Sequence, residues 1–143
     1  MPVHANTPLL IGAALSALAA ALHLAIIAGG PAWYRFFGAG ERMALAAERG
    51  DVRAALMTLA IAAVLAGWSA YALSGAGVIG PLPWLDVALA AITAVYLVRG
   101  LAFVPVLRAR GARITRFAVW SSIVCLGYGV VHLLGLVQRW QTP

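Results

Sequence analysis

One apolar stretch carries most of the side chains that could do chemistry. Residues 117–137 read FAVWSSIVCLGYGVVHLLGLV. At 100° per residue, Ser121, Cys125, Tyr128, His132, Gly135 and Arg139 fall within about 40° of one direction on a helix. The rest of that helix is greasy. A stripe of polar and small residues suits a protein neighbour or a cavity rather than lipid, because a polar group left unpaired in hydrocarbon is costly. His132 adds a ring that donates and accepts hydrogen bonds and that can take up a proton.

The other apolar runs carry stripes of their own. Gly12, Ser16, Ala19 and His23 share a face of the first run, and Thr58, Ala62 and Ser69 share one of the second. In the third, Asp86, Thr93, Tyr96 and Gly100 line up, with Arg99 on the flank. Counting about 1.5 Å per residue from the ends of the runs sorts these groups by depth. An inner layer holds His23, Arg99, Ser121 and, just above them, Tyr96, with Glu41 available from the loop after the first run. An outer layer holds Tyr71, Tyr128, His132 and, a turn further out, Asp86. These nine are the candidate ligand-binding residues. Each also has a plainer role. Hydroxyls bond across helix interfaces, histidines pack, Arg99 snorkels to headgroups, and Asp86 complements the positive end of a helix.

Depth also bears on cofactors. Two histidines in a four-helix bundle could hold one haem, but only from nearly equal depth. His23 and His132 differ by about 15 Å of helix rise, so no haem is expected. No carboxylate falls mid-membrane and the chain has one cysteine, so neither zinc nor a di-iron centre finds a ligand set. Cys125 lies mid-span, where a thiol is inert. No catalytic residue is assigned, because no local constellation joins a nucleophile to a base.

Four helices must position these groups. The 143 residues are 64% hydrophobic and 10% charged, with mean hydropathy +0.95. A soluble domain of this size carries roughly 25% charge. The runs 9–28, 54–74, 84–104 and 117–137 are each long enough to cross ~30 Å of hydrocarbon. They read as helices, since lipid offers no partner for open backbone groups. Gly29-Gly30-Pro31, residues 75–83, and Pro105 with Gly111 read as the breaks between them. The first run has no basic flank and is longer than the apolar core of a signal peptide, so it is expected to be a retained helix. The fold expected is all-α: a single domain forming an antiparallel four-transmembrane-helix bundle.

Arginine sets the orientation. Arg35, Arg42, Arg49 and Arg53 lie between the first two runs, and Arg108, Arg110, Arg113 and Arg116 between the last two. The middle loop has none. The first and third loops are therefore expected on the cytoplasmic side and both termini on the periplasmic side. Most of the net charge of +6 sits in these short loops, so it reports topology and gives no sign of a nucleic-acid partner. Residues 31–51 form an aromatic and basic loop suited to the headgroup layer. Within it, residues 40–49 have a short helical pattern, which Gly50 can end and after which Asp51 can cap the next span. The expectation is a cytoplasmic interfacial helix.

The run Tyr34-Arg35-Phe36-Phe37-Gly38-Ala39-Gly40-Glu41, with Tyr71-Ala72-Leu73-Ser74-Gly75 and the helix of His132, resembles small four-helix inner-membrane proteins of proteobacteria. The resemblance implies a bacterial inner-membrane location and no particular activity. The residues themselves lead to binding or transport of a small polar or amphiphilic ligand within the bundle. One alternative is a non-catalytic accessory or structural subunit that associates through small-residue faces. Another is a membrane enzyme acting on a lipid or quinone with a histidine as base. The partners expected are the lipid bilayer and either further copies of the chain or a partner membrane subunit.

Overall fold

The computed structural model describes residues 6–141, and every regular element in them is an α-helix. These are α1 (Thr7–Phe36), α2 (Glu41–Glu48), α3 (Val52–Gly75), α4 (Leu85–Ala109) and α5 (Arg116–Gln141). The two chain ends, whose side of the membrane the arginine pattern addresses, lie outside the described residues. Four helices, all but α2, are long and apolar enough to cross a membrane. Their outward residues are apolar as well: Leu18 is 65% exposed, Leu56 59%, Val98 62% and Leu134 57%. Water would penalise such faces, whereas lipid accepts them.

Two helices run further than the breakers suggest. Gly30 adopts φ 65° and ψ −154°, which kinks α1 without ending it. Pro31 follows, with no N–H to satisfy and φ already set for a helix, so a new helical stretch starts at once and continues to Phe36. Pro105 likewise lies inside α4, which continues to Ala109. The true stop is Gly111, at φ 67°. There the amides of Gly111 and Ala112 return to the carbonyls of Arg108 and Leu107, closing the open end of α4. Gly50 closes α2 in the same way, through bonds from Gly50 and Asp51 back to Ala47 and Ala46. Asp51 then accepts the Arg53 amide at 2.9 Å and starts α3. Ahead of α4, Pro83 precedes Trp84, whose left-handed φ of 55° turns the chain into the helix at Leu85.

Close contacts gather the chain into two compact units, one of them Ala17–Gly67 and the other the remainder. Inside Ala17–Gly67, Ile26, Tyr34, Ala44 and Ala54 form a core flanked by Phe37, Met43, Ala46 and Ala47. The Tyr34 hydroxyl lies 3.1 Å from that of Thr58. Thr58 gives its own proton to the Ala54 carbonyl, so Tyr34 is the donor of that pair. Above this core Arg35 grips both ends of α2, through Glu41 at 2.8 Å and Glu48 at 2.7 Å.

The other unit joins the start of α1, the end of α3, and all of α4 and α5. Leu9, Ala76, Leu85, Leu89 and Leu136 form its apolar core. Asn6 caps α1 by accepting the Leu9 amide at 3.0 Å and reaches α5 by donating to the Gly135 carbonyl at 2.7 Å. Ser69 of α3 donates to the Ala13 carbonyl of α1 at 2.8 Å. Helices α4 and α5 touch backbone to backbone. A Cβ added at Gly100 would stand 2.7 Å from the Leu126 amide nitrogen, and one added at Gly129 would stand 2.9 Å from that of Leu97. Only glycine permits that approach.

Candidate functional site

The site is built around Tyr96, which α4 holds with 5% of its surface exposed. Three rings surround it. Trp68 meets it edge-on, with centroids 5.0 Å apart, and Tyr128 does so at 5.4 Å. The His132 imidazole lies 5.2 Å away, tilted by 42°. On α5, Tyr128 and His132 are one turn apart and so face the same neighbour. The Tyr96 hydroxyl extends to Ser16 of α1 at 2.9 Å, and either oxygen can be the donor. Ser16 is fully buried.

His132 is fully buried too. Its Nδ1 lies 2.8 Å from the Tyr128 carbonyl oxygen. A carbonyl oxygen only accepts, so Nδ1 carries the proton and Nε2 presents a lone pair. Among the described residues nothing donates to that lone pair. One side of the ring lies against α1. A Cβ added at Gly12 would stand 2.8 Å from Cε1 and 3.1 Å from Nε2. The arrangement offers a buried acceptor beside a hydroxyl pair whose direction can reverse, all within an aromatic wall. It can receive an N–H or O–H group and shift a proton among hydroxyls.

The remaining candidates fall elsewhere. Arg99 stacks on Phe103 and donates weakly to Ser121 at 3.4 Å. Asp86, in the first turn of α4, pairs with Arg139 Nε at 2.6 Å. Tyr71 donates to the Pro83 carbonyl at 3.3 Å on an exposed edge. Glu41 is held by Arg35, whose hydrogen bond keeps the carboxyl below the usual carboxylate range. His23 donates from Nδ1 to the Ala19 carbonyl of its own helix at 2.7 Å. Among the described residues, no three His, Cys, Asp or Glu side chains gather as a metal shell.

The two-layer depth map thus separates what the structure joins. Tyr96, assigned to the inner layer, belongs with Tyr128 and His132 of the outer one. The count started from the ends of the apolar runs, and α4 goes five residues beyond its run. A tyrosine also carries its ring and hydroxyl about a turn away from its Cα. Gly12, Ser16 and Trp68 complete the cluster and were not among the nine candidates. The signal for all three is present in the sequence, since Gly12 and Ser16 share one face of the first run and the depth count sets Trp68 in the layer of Tyr71, Tyr128 and His132. No protein-family model, curated protein or solved structure matches the chain.

Proposed function

We propose that this chain is a bacterial inner-membrane protein that binds or moves a small polar or amphiphilic ligand among its helices. In this reading the four long helices form an antiparallel bundle, both termini are periplasmic, and α2 lies on the cytoplasmic surface. The pairings of Asp86 with Arg139, Tyr96 with His132, and Gly100 with Leu126 support opposite directions for α4 and α5.

The observation that carries the functional reading is the bare Nε2 of His132. A buried acceptor without a donor costs about 1–3 kcal/mol, and ionisable groups held within membrane helices are concentrated where function needs them. A ligand bearing an N–H or O–H group would satisfy Nε2, while Trp68, Tyr96 and Tyr128 would pack its apolar part. The reading invokes no haem.

The accessory-subunit reading draws on a different observation. Gly67 and Gly127 are helical glycines with open space where a side chain would stand, and glycine on a helix surface allows a second helix to come close.

Native mass spectrometry of purified wild-type and His132→Phe protein separates the two. A stoichiometric small molecule on the wild type that is lost from the variant supports ligand binding. A bare chain, or one carrying stoichiometric protein partners in both forms, supports the accessory role and ends the ligand reading.

A further inference from the structure

Arg99 is a part-buried cation of α4 that meets no acid among the described residues, whereas the other arginines without an acid at the α4–α5 turn are exposed. Its guanidinium carbon sits 3.5 Å from the centroid of the Phe103 ring. Nη2 reaches Ser121 Oγ at 3.4 Å, a long bond. Nη1 is shielded from solvent and finds no acceptor among the described residues. Ser121 can offer only a lone pair, because its proton goes to the Ala118 carbonyl at 3.1 Å. The acids of the chain are engaged: Asp86 with Arg139, Glu41 and Glu48 with Arg35, and Asp51 with the start of α3. A guanidinium cannot shed its proton to escape the low dielectric, so a half-buried, unneutralised arginine calls for an anion from outside the chain.

We infer that Arg99 receives a phosphate oxyanion at the seam of α4 and α5, and that the favoured source is the headgroup of an anionic phospholipid. The placement fits. Helix α4 has 25 residues, about 37 Å of rise against ~30 Å of hydrocarbon. Its excess is at the end that carries Arg108, so Arg99 lies within a snorkelling side chain's reach of the headgroup layer. Phe103 is one turn nearer that same end, and stacking on it draws the guanidinium outward. The planar fork of Nη1 and Nη2 matches two phosphate oxygens. Phe103 holds the fork still, and Ser121 fixes its rotation. The exposed arginines 108, 110, 113 and 116 lack any such frame.

The site is independent of the His132 cluster, and its test separates the two sources of phosphate. Wild type, Arg99→Gln and Arg113→Gln are purified from a phosphatidylglycerol and phosphatidylethanolamine mixture and stripped stepwise in the mass spectrometer. Wild type and Arg113→Gln should retain one phosphatidylglycerol per chain, and Arg99→Gln should retain at least tenfold less. In parallel, delipidated wild type and Arg99→Gln are titrated with inorganic phosphate. Saturable binding that needs Arg99, without lipid retention, assigns the site to a free anion and overturns the lipid source. Equal lipid retention and equal phosphate binding in both proteins overturn the site altogether. Arg99→Gln removes a charge from the helix pair and should fold. If it does not, Phe103→Leu leaves the charge in place and should still cut retention several-fold, and unchanged retention there also counts against the site.

Discussion

Gly12 decides how close α1 comes to the imidazole of His132. A methyl at that position would stand 2.8 Å from Cε1, and neither the helix backbone nor a fully buried ring can yield freely. Gly12→Ala should therefore destabilise the protein by about 1–3 kcal/mol, the usual penalty of overpacking. Gly127 offers the opposite case on α5, because its missing side chain faces open space. Gly127→Ala should be neutral or stabilising by up to about 1 kcal/mol, the helical cost of glycine relative to alanine. Thermal unfolding in one detergent ranks the two, and equal shifts would remove the close packing from the account. The pair also marks what residue-level reading can reach. His132, Tyr128 and Tyr96 stand out by chemical type. Gly12 and Gly127 look alike in sequence and differ only in what lies opposite each. The Ser16 contact with Tyr96 was hidden for the same reason, since a buried serine on a small-residue face resembles any packing serine.

Helix α2 shows how an element is held from outside itself. Its eight residues are too few to be helical in isolation. Burial of Ala44 and the two-ended grip of Arg35 keep it in place. Arg35 lowers the pKa of Glu41 in the folded protein through its hydrogen bond, which sets the sign of a pH effect. The contribution is complete above the ordinary carboxylate value of 4.5 and is lost as pH falls through the lower folded value. Intrinsic amide exchange slows as pH falls, so the quantity to follow is protection relative to that intrinsic rate. Protection of α2 should drop as pH falls from neutral through the lowered folded value. Glu41→Gln should show the weaker protection already at neutral pH. Unchanged protection of α2 in both experiments would mean that apolar packing alone holds it. Length and composition were enough to find all four long helices and this short one. The ends of α1 and α4 were not legible, because Gly30 with Pro31 and Pro105 read as breaks. In lipid the free energy of an open backbone group favours resuming the helix, so a kink or an internal proline replaces a stop.

For the molecule as a whole, the distribution of arginine makes the sharpest claim. Val78 lies in the loop after α3 and Ala112 in the loop before α5, both exposed, and α4 connects them. If α4 crosses the membrane, cysteines at these two positions must sit on opposite sides. With Cys125, the sole natural cysteine, replaced by serine, Val78→Cys should react with an impermeant maleimide on intact cells. Ala112→Cys should react only after the inner membrane is opened, since four arginines flank its loop. Labelling of both from one side would sink the spanning role of α4, and a reversed pattern would sink the orientation while sparing the spans. The cause can be tested on the same two reporters. Replacing Arg108, Arg110, Arg113 and Arg116 with glutamine removes four of the eight arginines of the first and third loops and changes no apolar residue. If loop arginines set the orientation, part of the population should then expose Ala112→Cys outside. Arg99 remains in that variant, so the Arg99 lipid site should persist in the molecules that keep their original orientation.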